Sequence, residues 1–257
     1  SHTLHVERSF LYAYPEHILT SEQEQQYQDL IERRSRGEPV AYLTGHKEFY
    51  GLDFLVDKRV LIPRPETELL VESALSACRK MLDIGSTPIV ADIGTGSGAI
   101  PVTLAVLEPR LPYLYACDIS TDALKVAFLN CQQHHVQDRV RLLQGDLLAP
   151  LPEPVDVLTA NLPYIGTDEL EELPIDVLDY EPHLALFSGS FGLDLMLRFF
   201  QELQHSHKLK EGALLLLDIG YRQYEVLTTI LREIWPHATL TFTKDLAGWN
   251  RVLQVRL

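Results

Sequence analysis

From residue 89 onward, short apolar runs alternate with longer helix-like segments, and the last two strand-like runs are joined by too few residues to hold a crossover helix. The strand-like runs are Ile89 to Ile93, Tyr113 to Cys117, Val140 to Leu143, Val155 to Ala160 and Ala213 to Ile219. Helical periodicity covers Ala99 to Leu107, Thr121 to His134, Leu193 to Leu209 and Tyr224 to Trp235. Repeated strand, helix, strand units predict a mostly parallel sheet with helices on both faces. The closing runs, Thr239 to Thr243 and Arg251 to Arg256, are linked only by Lys244 to Asn250 and must therefore pair antiparallel. The expectation is an α/β fold with a Rossmann-like, seven-stranded sheet that ends antiparallel.

The front of the chain follows a different rule. Leu4 to Arg36 is predicted to be helical, with apolar positions at Leu11, Ile18, Tyr27, Leu30 and Ile31. From Ala41 to Ile62 the pattern turns to Glu48-Phe49-Tyr50 and Asp53-Phe54-Leu55-Val56 around Gly51, which predicts a β-hairpin. Pro63-Arg64-Pro65-Glu66-Thr67-Glu68 then opens a helix, since proline suits a first turn and acids favour its positive end. Three regions are expected: a small helical unit over 1–45, a hairpin linker over 46–62 and the α/β domain over 63–257.

Bulk properties exclude several roles. No uninterrupted apolar run is long enough to span a bilayer, and residues 1–14 lack the basic-then-apolar layout of a secretion signal, so a cytosolic protein is the default. With 36 acidic against 22 basic residues the net charge is −14, which repels phosphate backbones and disfavours general nucleic-acid binding. Arg33, Arg34 and Arg36 read as a solvated helix end rather than a nucleic-acid patch. Cys78, Cys117 and Cys131 have neither disulfide-framework nor metal-ligand spacing, and the adjacent His134-His135 pair cannot chelate one ion, so no metal is expected. Trp235 and Trp249 read as packing residues, and the oligomeric state stays open, with a monomer as the default.

Chemistry concentrates where the strands end. Asp92-Ile93-Gly94-Thr95-Gly96-Ser97-Gly98 turns the first core strand into a helix, and glycines there admit close approach of a ligand to the backbone. Its Gly-x-Gly-x-Gly spacing brings the third glycine one residue earlier than in a dinucleotide fingerprint. An aspartate just before the loop would repel a pyrophosphate but suits a sulfonium zwitterion. Asp118, at the end of the second strand and followed by Ile119, stands where a carboxylate accepts from ribose hydroxyls, while Asp146-Leu147 ends the third strand near an adenine position. Asp218, after the fifth strand, is a looser fourth member.

The fourth strand runs into Asn161-Leu162-Pro163-Tyr164. An amide nitrogen is a poor nucleophile because its lone pair is delocalised, so it has to be held and aimed. Asn161 Oδ1 and the Leu162 carbonyl can accept its two N–H groups, Pro163 stiffens the turn, and Tyr164 offers a ring against which a planar group can stack.

This tetrapeptide resembles the Asn-Pro-Pro-Tyr signature of amino-methyltransferases, and the alternating sheet with its antiparallel end resembles class I methyltransferases rather than nicotinamide dehydrogenases. Together with Glu38 to Gly45, Val60 to Glu68, Leu217 to Gly220 and Asp245 to Gly248, the chain is similar to the HemK/PrmC family of peptide-chain release-factor glutamine methyltransferases. The resemblance implies methyl transfer from S-adenosylmethionine to the Gln amide nitrogen of a release factor's Gly-Gly-Gln motif. It assigns the cofactor to Asp92, the loop Gly94, Thr95, Gly96, Ser97 and Gly98, and then Asp118, Ile119, Asp146, Leu147 and Asn161. It assigns the substrate to Asn161, Leu162, Pro163 and Tyr164 with Arg64 and Glu68, and the first 45 residues to release-factor recognition as a shortened form of the family's helical domain. Leu162 replaces the family's first proline, whose role is played by its carbonyl, and Phe191 stands where the family usually has Asp. Two rival readings are methylation of an exocyclic amine of a nucleic acid and an inactive cofactor-binding protein.

Overall fold

The computed structural model describes residues 1–257. Short helices α1 (Arg8–Ala13), α2 (Ser21–Ser35) and α3 (Val40–Thr44) come first, then the antiparallel hairpin β1 (His46–Phe49) and β2 (Leu52–Leu55). The segment expected to be helical from Leu4 to Arg36 holds two helices, with a break between Ala13 and Ser21. Pro15 disfavours helical backbone at Tyr14, and Thr20 begins a new helix with a capping box. In that box Thr20 Oγ1 accepts from Gln23 N at 3.2 Å while Gln23 Oε1 accepts from Thr20 N at 3.0 Å. The three arginines of the α2 end are paired within the chain, Arg33 with Glu38, Arg34 with Asp176 and Arg36 with Glu32. Such paired charges leave little field for a phosphate backbone.

A 3-10 turn (Pro65–Thr67) leads into α4 (Glu68–Asp83), and the main domain then runs β3 (Val90–Ile93), α5 (Ala99–Leu107), β4 (Leu114–Asp118), α6 (Thr121–Gln133), β5 (Val140–Gln144) and β6 (Val155–Ala160). The connection after β6 holds two 3-10 turns and the short α7 (Ile175–Tyr180); α8 (Asp194–Ser206), β7 (Leu209–Asp218), α9 (Tyr224–Ile234), β8 (Thr239–Lys244) and β9 (Asn250–Arg256) complete the chain. The sheet order is β5-β4-β3-β6-β7-β9-β8, parallel up to β7 and antiparallel for β9 against both neighbours. The expected seven-stranded sheet is therefore present. α8 stops three residues earlier than expected because His207 adopts a left-handed φ of 50°, and β7 starts early because Gly212, at φ 71°, lets the strand bend while it keeps pairing.

Side chains on alternate positions of each strand enter separate cores. Val90, Leu114, Ala116, Val157, Leu214 and Leu216 pack on one face with Leu70, Val71 and Leu75 of α4 and Val102 and Leu104 of α5. Ala91, Ile93, Tyr115, Cys117, Leu158, Leu215 and Leu217 face the other side, against Phe199, Phe200 and Leu203 of α8 and Leu227 and Leu231 of α9. A strand buried on both faces reads as a continuous apolar run, which is why Leu214-Leu215-Leu216-Leu217 shows no alternation. Cys78, Cys117 and Cys131 are buried free thiols, each pushed up to about 12 by burial. No helix is long and apolar enough to cross a membrane.

The hairpin is bolted to the main domain through Asn130 of α6, which has no exposed surface. Its Oδ1 accepts from Leu55 N at 2.7 Å, and its Nδ2 donates to Leu55 O at 3.0 Å and to Ser97 O at 2.8 Å. One side chain thus holds the hairpin and the glycine loop in fixed register.

Candidate active site

The carboxyl ends of β3, β4, β5 and β6 open on a cavity of about 500 Å³. In open α/β sheets this edge is where ligands bind, because the strand-to-helix turns there present backbone N–H groups and short polar side chains. Gly94, Thr95, Gly96 and Ser97 form one wall. Gly94 has φ 73°, and an added Cβ would stand 3.2 Å from Leu162 Cδ2; Gly98, at φ 79°, closes the turn where a Cβ would stand 3.2 Å from Ala127 Cβ. The loop is therefore pressed between the Asn161 turn and α6, with Gly98 behind the wall rather than on it.

The three strand-end carboxylates part company. Asp118 lines the cavity, and its Oδ2 accepts from Gly96 N and its Oδ1 from Ser120 N, both at 2.8 Å. Burial pushes this carboxyl above the usual range, opposed by the Ser120 and Gly96 N–H groups. Asp146 also lines the cavity, half exposed and paired with Arg198 of α8 at 2.5 Å, beside Leu147 at a left-handed φ of 43°. A non-glycine residue in that region costs about 1 kcal/mol, a strain that tends to collect at binding sites. Ile119 lies on the same wall with half its surface exposed.

Asp92, expected among the cofactor residues, does not line the cavity: it is buried beneath the loop with its Oδ1 accepting from Thr159 Oγ1 at 2.7 Å. Burial pushes it up to about 7, opposed by the Thr159 and Thr95 hydroxyls. Its Oδ2 and Thr95 Oγ1 are buried with no hydrogen-bond partner, so Thr95 stands close enough to favour the charged carboxyl without bonding to it. Two orphaned polar atoms under a glycine loop that also lines a cavity suit a ligand carrying a cationic donor.

Asn161, Leu162 and Pro163 also line the cavity, next to the loop at Gly94. Asn161 Nδ2 donates to Thr67 Oγ1 at 3.2 Å, and the Thr67 hydroxyl donates to Asp218 Oδ2 at 2.6 Å. Neither Asn161 Oδ1 nor the Leu162 carbonyl accepts a hydrogen bond from within the chain. Tyr164 departs from the expected stacking role, because its ring is turned off the cavity wall and packs at Gly220. Gln223 enforces this turn: its Nε2 donates to the carbonyls of Tyr164 and Gly192 at 3.0 and 3.1 Å, and its Oε1 accepts from Gly220 N at 3.0 Å.

Arg64 and Glu68 do not line the cavity either. Arg64 pairs at 2.5 Å with the buried Glu181, whose second oxygen accepts from Ile62 N at 3.0 Å, and Glu68 accepts from Tyr50 N at 2.9 Å in the hairpin turn. The proline-rich motif meets the cavity instead through Pro63 and Thr67. The sequence reading also missed the strap Pro182, Leu184, Ala185, Phe187 and Ser188, and Asp194 and Arg198 of α8, all of which line the cavity. Glu181-Pro182 was the available signal, a buried acid and a proline in an acidic loop. Phe191, at the position where an Asp was expected, is 72% exposed and off the wall.

Comparison with known proteins draws these features together. Residues 1–45 match the model of the PrmC N-terminal domain, and residues 67–173 match the methyltransferase small domain. The release factor glutamine methyltransferase of Koribacter versatilis (strain Ellin345) is 39% identical over 254 residues, covering 98% of this chain and 86% of that protein. The chain belongs to the release factor glutamine methyltransferase family. The family member of Moorella thermoacetica is 45% identical over 222 residues, which cover 86% of this chain and 76% of that protein. A methyltransferase from Pyrococcus furiosus, 16% identical, superposes with a TM-score of 0.56 over 90% of this chain and 98% of its own, a likeness of fold. The fold is that of a class I methyltransferase, and the family uses S-adenosylmethionine. For a member of this family, the shared wall between a glycine loop and an Asn-x-Pro-Tyr turn is the place to look for chemistry.

Proposed function

We propose that this protein methylates the side-chain amide nitrogen of the Gln in the Gly-Gly-Gln motif of a peptide-chain release factor, using S-adenosylmethionine. The observation that carries this reading is the pairing of two free acceptors, Asn161 Oδ1 and the Leu162 carbonyl, on residues that line a cavity together with the adjoining glycine loop. A primary carboxamide has two N–H donors, and two acceptors are what it takes to hold both.

The residues present fit the cofactor. Gly94, Gly96 and Ser97 would lie against its amino-acid part, Asp118 and Ile119 against its ribose, and Asp146 and Leu147 against its base. The orphaned Asp92 Oδ2 and Thr95 Oγ1 suit an ammonium nearby. When bound, the cofactor supplies a methyl group on a sulfonium. The chain's own part is orientation: Asn161 and Leu162 hold the amide so that its lone pair faces the methyl carbon, and such positioning can contribute about 7–11 kcal/mol in favourable systems. The buried Leu162 and half-buried Pro163 limit the water that would compete for the same acceptors. No strong base is needed, because the alkylated amide nitrogen is acidic enough to release its proton to solvent. Tyr164, held by Gln223, supports the turn from behind.

We further assign residues 1–45 to recognition of the release factor, 46–62 to the linking hairpin and 63–257 to the catalytic domain, and expect a monomer that acts in the cytoplasm. The net charge of −14 weighs against a nucleic-acid acceptor. Incubation with methyl-labelled cofactor and, in parallel, a purified release factor, its Gln→Glu variant at the Gly-Gly-Gln motif, tRNA and DNA tests the reading. Label is expected on the unaltered release factor alone. Label on nucleic acid would establish the rival amine methyltransferase, and label on none of them an inactive binding protein.

A further inference from the structure

The proline-rich turn, the end of β6 and the end of β7 bring three polar side chains into a line. Thr67 lies 151 residues from Asp218 and 94 from Asn161 along the chain, yet its hydroxyl touches both. Thr67 and Asp218 are 4% and 2% exposed, so neither is held by solvent. We propose that Asp218 and Thr67 are positioning residues that fix which end of the Asn161 amide faces the cavity, and so set the site to accept, rather than donate, hydrogen bonds from a substrate amide. This rests on the reading that the cavity receives a carboxamide.

The logic is one of proton count. A hydroxyl carries one proton, and a carboxylate can only accept. The Thr67 proton is therefore committed to Asp218 Oδ2 at 2.6 Å, and its oxygen can take only a donor from Asn161. Nδ2 faces Thr67 at 3.2 Å, and Oδ1 is turned the other way. A flipped amide would aim two N–H groups at the two N–H groups of a substrate amide and leave them unmatched. The sequence fits this need: the hydroxyl follows the prolines that set the turn, and the acid ends β7, whose last six residues are buried.

Asp218 is ringed by Thr67 and Glu66 of the 3-10 turn, Arg251 of β9 and Tyr164 after β6. Burial pushes it up to about 6, against the pull of Thr67 and Arg251 and with the push of Glu66. Once protonated it can donate to Thr67 Oγ1; the Thr67 proton then turns to Asn161, which presents Oδ1 to it and Nδ2 to the cavity. Turnover at saturating cofactor is therefore expected to fall as pH drops through about 6. Saturation keeps any effect of Asp92 and Asp118 on cofactor affinity out of the measurement.

The test compares wild type, Thr67→Val, Thr67→Ser and Asp218→Asn on a release factor, with kcat, release-factor KM and cofactor Kd measured separately. Thr67→Val is expected to lower kcat by about 10- to 100-fold, the scale of an unmatched buried hydrogen bond, with cofactor Kd little changed. Thr67→Ser restores turnover relative to Thr67→Val, and Asp218→Asn loses the acidic limb. Carboxyl NMR of the protein without ligand gives a second readout: Asp218 titrates near 6, and Thr67→Val raises that value. If Thr67→Val fails to fold, the wild-type acidic limb, the Asp218→Asn profile and the carboxyl titration decide. Wild-type kcat in Thr67→Val, equal losses in the Val and Ser variants, or an acidic limb that persists in Asp218→Asn would each overturn the proposal. Wild type inactive on every release factor would sink the underlying reading, whereas an active wild type with indifferent variants would sink the relay alone.

Discussion

Replacing Asp92 by Asn is expected to stabilise the protein without ligand while weakening its hold on the cofactor. The carboxyl has an ordinary value of 3.8 and is pushed up to about 7, chiefly by burial. Below about pH 4 it is protonated in both folded and unfolded chains and makes no pH-dependent contribution. Between about pH 4 and 7 the unfolded chain releases the proton and the folded one keeps it, so stability falls as pH rises; above 7 the loss is complete. At about 1.36 kcal/mol per pH unit the full loss is up to ~4 kcal/mol. Asn removes it but introduces a buried Nδ2, which costs about 1–3 kcal/mol if unpaired. Thr95 Oγ1, itself without a partner, is close enough to accept it. With Nδ2 paired to Thr95 the net expectation is a gain of up to ~4 kcal/mol at pH 8 and little difference at pH 4; an unpaired Nδ2 lowers both by about 1–3 kcal/mol. Urea unfolding of both proteins from pH 4 to 8 measures it, and calorimetry with the cofactor should show weaker binding by the variant. Parallel stability profiles, or a variant less stable than wild type at pH 8, would refute the reasoning that this acid is held at a cost to folding.

Three further outcomes follow from the same geometry. Asn130→Ala leaves the Leu55 N–H and the Leu55 and Ser97 carbonyls without partners and should cost about 2–4 kcal/mol in chemical denaturation; a loss below about 0.5 kcal/mol would contradict its bolting role. Glu181→Gln keeps an acceptor for Ile62 N but strips the charge opposite Arg64, which loosens the strap over the cavity. Release-factor KM should rise about tenfold, or ~1.4 kcal/mol, with cofactor affinity held, and equal changes in both would count against a substrate-side strap. Gly98→Ala puts a Cβ at φ 79° against Ala127 and is expected to lower stability by about 1–2 kcal/mol with a drop in melting temperature, whereas an unchanged melting temperature would show that the loop has slack.

Much of the architecture was legible because burial on both sheet faces forces apolar runs, and because a seven-residue link cannot cross a sheet. The interrupted amino-terminal helix was legible in principle, since Pro15 and the Thr20-to-Gln23 box both stand in the sequence and were outweighed by the helical propensity around them. The turn glycines Gly94 and Gly98 were legible because backbone geometry dictates the residue type there, although Gly98 stands behind the cavity wall, and charged side chains with two uses were harder to place. Arg64, Glu68 and Asp92 sit beside the cavity in sequence but point into the protein, because Glu181, Tyr50 N and Thr159 provide partners there that only the tertiary fold brings near. Tyr164 faces away for the same reason: Gln223, from the start of α9, claims its carbonyl. Thr67 was passed over as a helix-start residue, and nothing local reveals that its hydroxyl meets Asp218 and Asn161.

The account stands on a carboxamide held by Asn161 Oδ1 and the Leu162 carbonyl. Its most direct measurement is single-turnover methyl transfer by Asn161→Ala to a release factor, alongside the variant's cofactor Kd. The expectation is a rate at least about 100-fold below wild type, the scale for losing one aligned hydrogen-bonding group in a transition state, with cofactor affinity within about twofold. A variant that turns over at the wild-type rate, or one that loses affinity for the cofactor as steeply as it loses rate, would contradict it.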